Sequence, residues 1–267
     1  MSESSRQYLK PSPLGTKDYW DTTYANELSN HAANPSDSGT VWFADSDASP
    51  KILAYLESLS QDGLLDPSSA RFLDLGTGNG HMLLELREEG WTGEMLGVDY
   101  SEGSVSLARN VAAAVTARSE TMEEESVIEG AEVDDNAVKE VDVGEEACTK
   151  ALHFAVWDIL HDEPADWLGE GFDVVLDKGT FDAISLSAEM DGVGRRACES
   201  YRERMERLVK VGGFLLVTSC NWTEEELRGW FDQGKLAYWG RLKYPTFMFG
   251  GVKGQTICSL CLRRQTS

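Results

Sequence analysis

Four aspartates, Asp74, Asp99, Asp158 and Asp177, stand at the ends of short apolar runs, in RFLDL, MLGVDY, FAVWD and VVLDK. Directly after the first, FLDLGTGNG (residues 72–80) sets glycines at every second position, Gly76, Gly78 and Gly80. Carboxylates at one rim can bind a cation, accept hydrogen bonds from hydroxyls and amines, or orient a nucleophile. The glycine loop could hold a phosphate, hold another ligand, or merely turn the chain.

The neighbouring residues separate these readings. A phosphate loop of the Walker type needs GxxxxGK followed by Ser or Thr, and the sequence has none. A dinucleotide fingerprint needs GxGxxG, but the sixth position is His81 counted from Gly76 and Leu83 counted from Gly78. A plain turn explains the glycines but not four carboxylates at successive strand ends. Those carboxylates would repel a pyrophosphate and attract a cationic sulfonium. The pattern therefore points to S-adenosylmethionine, with glycines letting the backbone lie close to its methionyl and ribose parts. Asp99, 23 residues after Gly76, would accept from both ribose hydroxyls, and Asp158 from the adenine amine.

These residues need a frame that brings strand ends together. After an arm over residues 1–15 that is expected to be flexible, Tyr19, Trp20 and Tyr24 recur near helical spacing, and a second helix is expected from Ser49 to Leu59. From RFLDL onward, strands and helices alternate, which predicts an α/β, Rossmann-like doubly wound sheet with ligands beyond its carboxyl ends. The chain ends in a predicted antiparallel hairpin, 237–243 with 255–262. One domain over 16–267 is expected, interrupted at 119–150 by an insertion with twelve Asp or Glu against two Lys and no aromatic residue. That composition predicts disorder.

Six stretches carry a family resemblance: LGTKDYWDTTYANELSN, VWFADSDASPKIL, FLDLGTGNGHML, GVDYSEGSVSLAR, VLDKGTFDAISL and YPTFMFGG. They resemble the class I, seven-stranded methyltransferases, and more narrowly the protein-lysine methyltransferases that modify translation elongation factor 1-alpha. The acidic insertion departs from that pattern. The resemblance implies a seven-stranded sheet, S-adenosylmethionine as cofactor and elongation factor 1-alpha as protein partner. A small-molecule methyltransferase of the same fold is the alternative. It also implies a cofactor site at Asp74, Gly76, Thr77, Gly78, Gly80, Asp99, Tyr100, Asp158 and Ile159. Asp177 is then expected to orient the amine or remove its proton, and Phe181 to stand beside it. Lys178, an odd neighbour for a cationic substrate, is expected to point away into an ion pair. Trp42, Phe181, Tyr244 or Phe247 could line a lysine channel, because aromatic faces attract ammonium groups.

Composition limits the partners. A net charge of −22 disfavours nucleic acid and anionic membrane surfaces and favours a basic protein partner. The odd, scattered cysteines suit a reducing compartment. Cys258 and Cys261 form a CxxC on an expected strand, where they would face opposite sides, so no metal is expected. The polar N-terminus has no signal-peptide core, and no apolar run reaches the roughly 18 residues of a membrane span. The expectation is a soluble monomer of the cytoplasm, with the nucleus open to it.

Overall fold

The structure is a computed structural model that describes residues 8–129, 152–249, 252–254 and 256–266, with backbone alone for 119–129 and 247–254. Its centre is a seven-stranded sheet built from β1 (Phe72–Leu75), β2 (Met95–Asp99), β3 (Leu152–Val156), β4 (Phe172–Lys178), β5 (Val209–Ser219), β6 (Leu236–Leu242) and β9 (Cys258–Arg264). The order is β3-β2-β1-β4-β5-β9-β6. β1 to β5 run parallel, and β9 pairs antiparallel with both β5 and β6. The expected terminal hairpin is therefore β6 with β9, and a small antiparallel pair, β7 (Phe247–Phe249) with β8 (Val252–Gly254), sits in its connection. Strand order reverses direction between β1 and β4, and ligands of such sheets bind beside that point.

The central strands are apolar almost without interruption because helices cover both faces. On one face Leu73, Leu75, Val175, Leu215 and Val217 pack against α5 (Thr180–Ser185), α6 (Ala197–Leu208) and α7 (Glu224–Phe231). On the other, Phe72, Val174, Leu176, Phe214 and Leu216 pack against α2 (Ala48–Gln61), α3 (His81–Glu88) and α4 (Glu102–Glu129). The cysteines divide in the same way: Cys258 lies in the first layer and Cys261 in the second. α1 (Lys17–Ala33) packs Tyr24 against Leu107 and Val111 of α4. Local sequence sets several boundaries. Thr16 caps α1 by accepting from Tyr19 N, and Thr223 and Glu226 form a capping box on α7. α2 begins one residue before Ser49, at Ala48, behind a left-handed Asp47.

Two expectations of disorder meet structure. α4 runs on to Glu129, so residues 119–129 are helical backbone, and 130–150 lie outside the described residues. Residues 8–15 of the expected arm are docked, while 1–7 lie outside the described residues. Ser12 N donates to the Leu186 carbonyl at 3.1 Å, and Trp20 Nε1 to the Leu14 carbonyl at 2.8 Å. Gly15 lies so close to Leu186 that an added Cβ would fall 2.2 Å from its carbonyl carbon. Arg196 holds the strap by donating to the carbonyls of Leu9 at 2.7 Å, Ser185 at 3.0 Å and Ser187. The strap was not legible in the sequence because its bonds use backbone carbonyls, which leave no side-chain pattern.

Arg196→Ala should release residues 8–15 and cost about 2–3 kcal/mol, since hydrogen bonds from a charged donor contribute roughly 1.5–3 kcal/mol each. Faster amide exchange over residues 12–20 is the expected signature. Unchanged exchange there would mean that other contacts carry the strap.

Candidate active site

A cavity of about 520 Å³ opens at the carboxyl ends of the strands, beside the point where their order reverses. The strap (Leu14, Gly15) and α1 (Lys17, Trp20, Tyr24) form one wall, and Trp42 and Phe43 a second. Gly76, Asp99, Tyr100, Asp158 and Ile159 line it, as do Lys178, Thr180, Asp182, Cys220 and Asn221. Of the residues expected for the site, the cavity lining includes Gly76, Asp99, Tyr100, Asp158 and Ile159. It does not include Asp74, Thr77, Gly78, Gly80, Asp177 or Phe181.

The four strand-end aspartates divide by role. Asp99 is buried and accepts from Ser101 N at 2.9 Å, Ser104 Oγ at 2.8 Å and Gly78 N at 3.3 Å. Burial holds its pKa above the ordinary carboxylate value against these three bonds. A carboxylate has about four acceptor sites, so Asp99 keeps room for about one further strong bond rather than two. Asp158 accepts from Leu160 N at 2.8 Å and pairs with His161 Nδ1 at 2.9 Å. His161 Nε2 reaches Glu189 at 2.8 Å, and the hydrogen bond that the ring donates to Asp158 leads the causes that raise the imidazole pKa. Asp74, by contrast, braces the loop: it accepts from Thr77 Oγ1 at 2.8 Å, and burial pushes its pKa up to about 6.

Asp177 overturns its expected role. A strand alternates its side chains, so Asp177 follows Val175 into the layer under α5 and α6. There it accepts from Phe181 N at 3.1 Å and Tyr201 Oη at 2.8 Å, and burial pushes its pKa up to about 7. It caps α5 and does not face the cavity. Phe181 is likewise core, 1% exposed and stacked near Tyr201, Trp222 and Phe231. Lys178 takes the opposite face, lines the cavity and donates to the Trp42 carbonyl at 3.3 Å; burial lowers its pKa, opposed by Asp74 and Glu85. It does not point away as expected. Tyr244 is buried with its hydroxyl 2.7 Å from Ser259 Oγ, and the Phe247 side chain lies outside the described residues. Trp42 alone of the channel candidates lines the cavity.

Asp182 was missed. It sits in the first turn of α5, accepts from Ser219 Oγ and from Cys220 N at 2.8 Å, and is held above its ordinary pKa by burial. The signal was in DKGTFD, where the second Asp follows a Phe that must be core. Cys220 stays a thiol, its pKa pushed up to about 12 by desolvation and by Asp182. The glycine loop is left-handed at Gly76, and an added Cβ would lie 2.3 Å from Thr180 Oγ1. At Gly80 the same atom would meet the Phe154 ring at 2.7 Å. At these two positions the glycines fit the protein to itself, not only to a ligand.

Sheet order, glycine loop and cavity together define a class I methyltransferase architecture. A methyltransferase domain family matches residues 66–143. A Listeria monocytogenes structure described as a class I S-adenosylmethionine-dependent methyltransferase shares the fold, with a TM-score of 0.50 and 14% identity over 95% of this chain and 70% of that one. Protein-lysine N-methyltransferase EFM4 of Saccharomyces cerevisiae is 39% identical over 96% of this chain and 97% of its own. EEF1A lysine methyltransferase 2 of Danio rerio is 32% identical over 95% of this chain and 89% of its own. The chain belongs to this family of protein-lysine N-methyltransferases.

The corrected place of Asp177 has a measurable consequence. With a folded pKa of about 7 against an ordinary 3.8, the folded chain keeps a proton that the unfolded chain releases between those values. This contribution to stability is complete below about pH 4 and is lost as pH rises through about 7. In urea titrations across that window, wild type should lose stability relative to Asp177→Asn by up to ~1.4 kcal/mol per pH unit. Parallel curves for the two proteins would contradict the assignment.

Proposed function

We propose that the protein transfers a methyl group from S-adenosylmethionine to a lysine of translation elongation factor 1-alpha, acting in the cytoplasm. The observation that carries this reading is one cavity lined both by carboxylates, Asp99 and Asp158, and by aromatic side chains, Trp20 and Trp42. The relatives named above point to the same substrate.

The donor set fits the cofactor. Asp99 has an acceptor site to offer a ribose hydroxyl, Asp158 and Ile159 adjoin the expected adenine position, and the apolar wall of Val98, Tyr100 and Trp157 suits a purine. When bound, the cofactor supplies an electrophilic methyl group on a cationic sulfur. The chain must supply a neutral, aligned amine, because an ammonium with a pKa near ~10.4 is no nucleophile. Asp182 stands in the cavity wall with both oxygens fixed, placed to orient the amine's hydrogens. Lys178 adds positive charge within the same cavity, which disfavours the ammonium form. Aromatic walls exclude water and accommodate the side-chain stem.

Labelled cofactor added to cell lysate with the pure protein should label a single band at the mass of elongation factor 1-alpha. Label found in small molecules instead would favour the small-molecule alternative. Asp99→Ala should raise the cofactor Kd roughly 10- to 150-fold, the worth of one charge-assisted bond. Calorimetry giving a wild-type Kd would remove Asp99 from the site. Asp182→Asn should leave that Kd unchanged and lower kcat at saturating protein substrate. A normal kcat would leave the amine without its proposed orienting group.

A further inference from the structure

Three aromatic side chains gather on the outside of the molecule at the cavity mouth. Tyr19 is 36% exposed and Trp42 38%, with Trp20 half-buried between them. Tyr19 and Trp20 meet edge to face at 5.2 Å between ring centroids, and Trp20 and Trp42 at 5.4 Å. Large aromatics ordinarily bury, so a contiguous exposed set marks a contact surface.

The surface is held in advance of any contact. Trp20 is tied to the strap through Leu14, and Lys178 holds the Trp42 carbonyl. Phe43, next in sequence, has a left-handed backbone at φ 65° and lies against Gly179, where an added Cβ would be 3.2 Å from the ring. A left-handed Phe is strained, and such strain persists only where neighbours impose it. The loop is therefore fixed in the form that presents Trp42.

Charge selects the occupant. Asp18 precedes Tyr19 in the exposed first turn of α1, and exposed Asp45 lies three residues past Trp42. Asp45 lies in the short turn Ala44–Ser46 that follows Trp42 and Phe43 directly. The nearby Lys17 is paired with Asp21 at 2.8 Å. With −22 overall, a second copy of this chain would be repelled. Aromatic faces with carboxylates beside them fit lysine and arginine side chains.

We infer that Tyr19, Trp20 and Trp42, edged by Asp18 and Asp45, form the docking surface for a basic segment flanking the methylated lysine. This rests on the proposed protein-lysine activity and specifies what it reads around its target. Tyr19, Asp18 and Asp45 lie outside the cavity lining and meet residues that do not react, so they set the apparent affinity for the substrate and leave the methyl-transfer step alone.

Two short peptides, each with one central lysine, test it: one flanked by arginines, one by glutamates. Wild type should methylate the arginine-flanked peptide with a KM lower by about tenfold or more at low salt. Tyr19→Ala and Asp45→Asn should each shrink that preference about three- to fivefold through KM alone, at unchanged kcat. Calorimetry with S-adenosylmethionine, expected at the wild-type Kd, confirms that both variants are folded. Equal KM values for the two peptides in wild type, or an undiminished preference in both variants, would overturn the docking surface. If the peptides are discriminated while purified elongation factor 1-alpha stays unlabelled, the docking surface stands and the substrate proposed above falls.

Discussion

Between the loop after β1 and the start of α5 there is room for a hydrogen atom and not for a methyl group. Gly76 provides that hydrogen, and Thr180 Oγ1 uses the proximity to donate to the Leu75 carbonyl at 2.6 Å. This approach fixes where α5 begins. From there Asp177 can cap the helix from below while Asp182, in the same first turn, lines the cavity. Widening the gap by one methyl group would shift that carboxylate in the cavity wall. The glycine loop thus positions the α5 side of the cavity as much as its own side.

Much of the frame was legible because it rests on local rules. Apolar runs ending in Asp, with helices alternating between them, marked the parallel strands. Asp99 and Asp158 were readable because each ends or follows a strand and has nowhere to go but the rim. Asp177 was misread for a reason internal to strands. It is the penultimate residue of β4, and a period of two sends it to the face opposite Lys178. Which face is core and which is cavity depends on α5 and α6, and that is tertiary information. The docked strap was hidden for a different reason, since its bonds to Arg196 use backbone carbonyls.

The site gathers ionisable groups under opposing pressures. Asp74, Asp99, Asp177 and Asp182 are all raised by burial, and Lys178 is lowered by it. Each is held by hydrogen bonds or an opposite charge that partly offset the cost of desolvation. Such a cluster destabilises the fold near neutral pH and would not survive in an ordinary core. Asp99 and Asp182 line the cavity, whereas Asp74 and Asp177 support the loop and helix beside it.

The strap has a bearing on how the protein is made. Its clamp spans most of the chain, since Arg196 reaches back to the Leu9 carbonyl across 187 residues. During synthesis residues 8–15 leave the ribosome well before the segment around 185–196 that clamps them has emerged and folded. One wall of the cavity is thus assembled late, from residues made early. A nascent chain stalled before that point would carry the glycine loop and all four strand-end aspartates, yet would lack that wall of its cavity.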